Sequence, residues 1–292
     1  MKKAFFQLHM AVFLAGFTAI LGLLIKLNEV LLVWYRLLLT VFILSILMWI
    51  RKEWQKLAFK DILRISGVGM VIAIHWVSFY GSIKYANASV ALVCLSASGF
   101  FTALLEPLFF RKRIVWQELA LGILAIAGIY IIFDFHPQYK TGIIFGVLSA
   151  FGSAVFPILN KELLKQFTPK ILTVYELSGG LVLLSCLIPF YLAWFPAEYY
   201  IPTISDWAWL VVLAFFCTVI SFDLQLNALK KISAFTANLT YNLEPVYGII
   251  LAFVFFDESK QLHGQFYLGL GLIVLAIVLQ MLRVLHQARV YK

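Results

Sequence analysis

Six ionisable side chains stand inside long apolar runs: Arg36, His75, Glu106, Glu176, Asp223 and Glu244. In hydrocarbon such groups are costly, and they mark a substrate or ion pathway, a proton relay or a structural pair. His75 and Glu244 are the most informative, because both fall near the middle of their runs and each side-chain type can carry a coupling proton. The alternative is that they are polar glue, hydrogen-bonded between helices. His75, Trp76, Phe79 and Tyr80 would share about 140° of one helix, and Asn238, Tyr241, Asn242 and Pro245 about 100° of another. An aromatic stripe also suits packing or lipid, whereas an Asn-Tyr-Asn stripe must face a cavity or another helix. Together with Ser98, the first stripe and Asn238, Tyr241 and Asn242 are the expected substrate-binding set.

Arg36, Glu176, Asp223 and Glu244 are the expected coupling or gating set. Arg36 can attract a carboxylate or phosphate, or can be held by nearby carbonyls. Arg36 and Glu176 occupy matching places in Trp34-Tyr35-Arg36-Leu37 and Val174-Tyr175-Glu176-Leu177, yet lie toward opposite ends of their runs, on the order of 14 Å apart in depth, so each needs its own partner. Asp223 can gate one end or pair with Lys230 or Lys231; Glu106, near the end of its helix beside Arg111 and Arg113, is expected to be a snorkelling or end-paired carboxylate.

The elements that must position these groups follow from composition. Of 292 residues, 63% are hydrophobic and 13% charged, and mean hydropathy is +0.96. A soluble domain carries roughly 25% charge, so a soluble enzyme, a disordered chain, a disulfide-stapled module and a nucleic-acid binder are excluded. A bilayer crossing takes about 20 apolar residues. Ten stretches qualify: 4 to 25, 30 to 50, 63 to 83, 87 to 110, 116 to 134, 142 to 160, 171 to 195, 207 to 227, 234 to 256 and 265 to 285. The expectation is an all-α polytopic membrane protein with ten transmembrane helices.

Alternating the ten spans places eighteen of the 23 Lys and Arg residues on the side of the N-terminus, four on the other, and Arg36 within a span. Both termini are therefore expected to be cytoplasmic, in a bacterial-type inner membrane. The apolar run after Lys2 and Lys3 reads as an uncleaved first span, being longer than a signal core and lacking a small-residue cleavage pattern. Cys94, Cys186 and Cys217 read as reduced packing residues within spans. Pro157 and Pro245 are candidate helix breaks, and Gly67, Gly69, Gly179, Gly180, Gly269 and Gly271 candidate close-approach points.

A shift of 146 places Ile74 on Ile220, Lys84 on Lys230, Ala88 on Ala234, Leu105 on Leu251 and Phe109 on Phe255; a shift of 149 then places Gly122 on Gly271. Five spans per half bring the second half into the membrane from the opposite side, giving two inverted five-helix repeats, residues 1–138 and 139–292. The five-plus-five arrangement, Leu243-Glu244-Pro245-Val246-Tyr247 closing with Phe256-Asp257-Glu258, and Leu229-Lys230-Lys231-Ile232-Ser233-Ala234 resemble EamA-type members of the drug/metabolite transporter superfamily. The resemblance implies a small-molecule carrier, commonly an exporter of amino acids or other metabolites, with a cavity lined mainly by the first, third, fourth, sixth, eighth and ninth helices. The first half departs from the pattern, with Gly99 opposite Pro245 and Arg111-Lys112-Arg113 in place of the acidic pair.

The expected function is secondary active transport, directed outward, of a small amphipathic metabolite such as an amino acid, by alternating access around a midplane cavity. The expected partners are that substrate, a coupling proton and the lipid bilayer, with no nucleic acid. A passive channel or membrane scaffold is the alternative, and an intramembrane enzyme a lesser one. No cofactor, metal or catalytic residue is expected: Ser98 with His75 supplies no triad, and no Gly-rich Lys motif offers direct ATP drive.

Overall fold

The computed structural model describes residues 2–135, 139–232, 237, 240–241, 243–256 and 264–290, and among these every regular element is helical. The helices are α1 (Lys2–Leu24), α2 (Glu29–Ile50), α3 (Phe59–Tyr85), α4 (Ala88–Leu95), α5 (Ser98–Phe110), α6 (Trp116–Phe135), α7 (Lys140–Leu163), α8 (Pro169–Trp194), α9 (Ile204–Ala214), α10 (Ser221–Leu229), α11 (Leu243–Phe256) and α12 (Gly264–Val290). A π-helical turn, Phe215–Ile220, joins α9 to α10. By length and apolarity seven described segments can cross a membrane, counting α4 with α5 and α9 through α10 as single spans; Trp116–Ile132, Leu243–Phe256 and Gly264–Ala276 are shorter apolar helices.

Short polar residues set the helix starts, since a side-chain oxygen there satisfies an amide that has no helical acceptor. Asn28 accepts from Leu31 N at the start of α2, Asn87 from Val90 N at α4, and Thr168 from Ile171 N just before Pro169 of α8. Thr203 and Asp206 form a reciprocal capping box at α9.

The core is built around α3, which packs along α7 and α8, while α1 lies against α10 and α11, and α6 against α12. Close approach depends on particular glycines. A Cβ on Gly69 would run into the Glu176 carbonyl of α8, and one on Gly180 would lie 2.8 Å from the Gly69 oxygen. Gly179 and Gly269 are similarly crowded, but Gly67 and Gly271 have nothing within 4 Å, so the close-approach expectation fails at those two. Pro157 also departs from expectation, because α7 runs through it unbroken. The break falls instead in the fourth span, where Ser96 and Ala97 turn the chain between α4 and α5 with amide bonds reaching back three residues. Cys94 and Cys217 are buried and Cys186 exposed, all as free thiols.

Candidate functional site

Arg36 lies on α2, 3% exposed, and is fixed from three directions. Its Nε donates to Thr218 Oγ1 at 2.9 Å, Nη1 to the Tyr80 hydroxyl at 3.2 Å and Nη2 to the Cys217 carbonyl at 3.3 Å. Its guanidinium carbon sits 3.5 Å from the centroid of the Trp76 ring, a cation–π contact. The Cys217 and Thr218 acceptors belong to the π-helical turn. The wider turn redirects local bonding: Thr218 Oγ1 donates to Leu213 O, five residues back, at 2.9 Å. A guanidinium carries five N–H groups, so after these three bonds one remains on each terminal nitrogen for a ligand.

His75 is held from the neighbouring helix. Its Nδ1 donates to the Ser149 carbonyl at 2.7 Å, with the Ser149 hydroxyl 2.9 Å away. A carbonyl can only accept, so the proton of the neutral ring is on Nδ1 and Nε2 is left as the nitrogen that can take another.

Glu244 stands in the first turn of α11, 8% exposed, and no hydrogen bond from a described residue reaches its carboxyl group. Nor does an ion pair within 4.0 Å join it to Arg36. Both nevertheless line one narrow cavity of about 60 Å³ open to water-sized molecules, together with His75, Trp76, Phe79 and Tyr241. At roughly 10–15 Å³ of such space per water, it has room for a few waters. Trp76 and Phe156 pack against Phe222 at its wall, the first edge-on and the second stacked.

The chain thus brings Arg36, His75, Trp76, Phe79, Tyr241 and Glu244 together, with Tyr80 holding Arg36 from behind. It does not bring all the candidates there. Ser98 is buried at the start of α5, where its carbonyl accepts from Thr102, and it is not on the cavity wall. Glu176 of α8 is fully buried against α7; Asn160 Nδ2 reaches its Oε2 at 3.4 Å, while its Oε1 and Asn160 Oδ1 have no hydrogen-bond partner among the described residues. Asp223 lies on a different face of α10 from the cavity-lining Ser221, Phe222 and Gln225, and makes no ion pair with Lys230 or Lys231 among the described residues. Glu106 pairs with Lys112 at 3.6 Å, not with Arg111 or Arg113. Asn238 and Asn242 lie outside the described residues. Sequence reasoning missed Thr18, Ser153, Ser221 and Gln225 on the wall. For three of them a signal was present: Ser153 follows Ser149, and Gln225 follows Ser221, by four residues, which puts each pair on one helix face.

The opposite end of the bundle from Arg51 and Lys170 is tied by another polar network. Asp206, 1% exposed, accepts from the Lys26 amide at 2.8 Å, the Tyr199 hydroxyl at 3.0 Å, and the Thr203 amide and hydroxyl at 3.0 and 2.7 Å. Lys84 Nζ donates to Ile25 O at 2.6 Å, and the Tyr191 hydroxyl donates to Glu29. These bonds fasten the α1–α2 join to α3, α8 and α9.

Comparison with known proteins agrees with this architecture. A solved crystal structure matches with a TM-score of 0.68 at 16% identity, over 94% of this chain and 96% of that one, which shows a shared fold. An uncharacterized transporter of Archaeoglobus fulgidus is 24% identical over 63% of this chain, a match that spans 64% of that relative's length. The uncharacterized transporter YetK of Bacillus subtilis is 26% identical over 75% of this chain and 68% of its own. A protein of Streptantibioticus cattleyicolor named "probable terminal-alkyne amino-acid exporter" is 25% identical over 60% of this chain and 58% of its own. The model of the EamA-like transporter family matches twice, over residues 2–134 and 140–282, so the chain, a multi-pass membrane protein by its apolar helices, belongs to that family.

Proposed function

We propose that the protein is a secondary carrier that exports a small amphipathic metabolite, an amino acid or a related compound. The observation that carries this reading is the convergence of Arg36, His75 and Glu244, from three different helices, on one aromatic-walled cavity. The two N–H groups left on Arg36 suit a carboxylate, the Glu244 carboxyl group suits an ammonium or a coupling proton, and Trp76, Phe79 and Tyr241 suit an apolar side chain. The amino-acid exporter named among the relatives supports the same substrate class.

A space for a few waters does not hold an amino acid, so on this reading the cavity widens to load and the present form is a constricted one. Ten spans in two inverted five-helix repeats, residues 1–138 and 139–292, would rock about the cavity, with both termini cytoplasmic in the inner membrane. The repeated family match and the one-sided distribution of Lys and Arg support that arrangement. His75 Nε2 and Glu244 are the proton-carrying groups in this scheme.

Full-length protein in liposomes, challenged with a panel of labelled amino acids, should give saturable uptake accelerated by the same compound trapped inside. Uptake that rises linearly with concentration and ignores trapped substrate would establish a channel instead and overturn the carrier reading.

A further inference from the structure

Beside α10, on the face turned from the central cavity, lies a second cavity of about 300 Å³, near the lower end of the roughly 300–1,000 Å³ typical of small-molecule sites. Its two ends differ in chemistry. Leu47, Met48, Phe215 and Val219 make an apolar trough along α2 and the π-helical turn, while Arg51, Glu53, Lys170 and Asp223 crowd its mouth. Lys170 is paired with Glu53 at 2.5 Å. That leaves one guanidinium, on Arg51, and one carboxylate, on Asp223, neither of which has a side-chain partner among the described residues. Asp223 also faces an adjoining cavity of about 270 Å³ with Gln55 and Asn227, where Asn227 donates to its backbone carbonyl and leaves the carboxylate untouched.

Depth in the bilayer follows from neighbouring groups. Arg51 directly follows α2 and Lys170 lies in the first turn of α8. Trp54 packs edge-on against Tyr175, whose hydroxyl donates to Gln55 O, an aromatic anchor of the kind found at headgroup level. Phe215, on the apolar part of the trough and away from the charged groups, is 37% exposed. An occupant of this place must therefore offer an acyl chain to the trough, an anion to Arg51 and a hydrogen-bonding cation to Asp223.

We infer that this groove is a specific site for a phospholipid with a primary-amine headgroup, phosphatidylethanolamine in chemical type. Its phosphate meets Arg51, its ammonium donates to Asp223, and an acyl chain lies along Leu47, Met48, Phe215 and Val219. A choline headgroup carries the same charge but has no N–H to donate, and a glycerol headgroup carries no cation, so Asp223 selects against both. Because Ser221, Phe222 and Gln225 of the same helix line the central cavity, a lipid seated here touches the helix that walls the transport site. The inference needs only that the chain sits in a bilayer, and it stands or falls separately from the carrier reading.

The test is native mass spectrometry of the full chain released from vesicles containing equal amounts of phosphatidylethanolamine, phosphatidylcholine and phosphatidylglycerol. The expected result is one retained lipid, the ethanolamine form exceeding each of the others by about tenfold, the ratio that one charge-assisted hydrogen bond provides. Asp223→Asn should bring the ethanolamine-to-choline ratio near one, and Asp223→Glu should keep the preference. Equal retention of ethanolamine and choline lipids by the unaltered chain overturns the proposal, and needs no variant to fold. Preferential retention of the glycerol lipid overturns it too, revealing a merely basic patch, as does an Asp223→Asn protein that keeps the full preference.

Discussion

Asp206 and Glu244 are both acids withdrawn from the protein surface, 1% and 8% exposed, and their surroundings are opposites. The Asp206 carboxylate receives four hydrogen bonds, from Lys26, Tyr199 and twice from Thr203. Glu244 receives none from a described residue and faces the cavity shared with Arg36. A buried polar group left without partners costs far more than one that is satisfied, so the contrast separates two uses of scarce charge. At the tied end the charge is consumed in holding helices together. In the cavity, bonding capacity is left over, and Arg36 marks the boundary: three of its N–H groups are spent on positioning it and two remain.

The most direct way to break that contrast is Arg36→Leu. Removal leaves the Thr218, Tyr80 and Cys217 partners unmatched and takes away the cation, so substrate exchange in liposomes should fall at least about 100-fold. Arg36→Lys should recover little, because an ammonium cannot span the same fork of acceptors. Exchange near the wild-type rate in Arg36→Leu would put Arg36 in the same structural class as Asp206. Glu244→Gln is a narrower change of nearly equal shape. It should leave exchange between equal substrate pools largely intact and remove the acceleration produced by an imposed pH gradient. A gradient response identical to wild type would take Glu244 out of coupling.

Much of this was legible in the residues, but at different levels. Apolar length alone marked the helices, and α1, α2 and α8 begin within two residues of the expected boundaries, because hydrocarbon thickness permits little variation. Arg36, His75 and Glu244 stood out because charge inside an apolar run is rare. Which of the acids would face a cavity was not legible. Glu244 stands nearer the middle of its run than Glu176 does, but that Glu176 is set against Asn160 and the backbone at Gly69 is decided by packing alone. Nor was the backbone irregularity. Proline suggested breaks at Pro157, yet the chain turns at Ser96–Ala97, beside Ser98 and Gly99, and widens into a π turn at Phe215–Ile220. Small and hydroxyl-bearing residues were the available cue at the first. At the second, Arg36 bonds to Cys217 and Thr218 from 181 and 182 residues away, a relation no local window contains.

The smallest predicted effect tests the tied end. Asp206→Asn preserves shape but removes the negative charge and puts an amide where the Lys26 N–H or the Thr203 and Tyr199 donors now point, setting donor against donor. The loss should be about 1.5–3 kcal/mol, the range for hydrogen bonds to a charged group, read as a lower melting temperature of the purified full-length protein. Glu198→Gln, an exposed acid eight residues away from that aspartate in sequence, should change stability by less than about 0.5 kcal/mol. At a temperature where Asp206→Asn remains folded, its exchange rate should stay within about tenfold of wild type, since none of its partners lines the cavity. The informative failure is a variant that melts normally but no longer exchanges substrate. It would mean that the join between α1 and α2 must be released and remade in each cycle, and that saturation of a buried charge is no guide to whether a region moves.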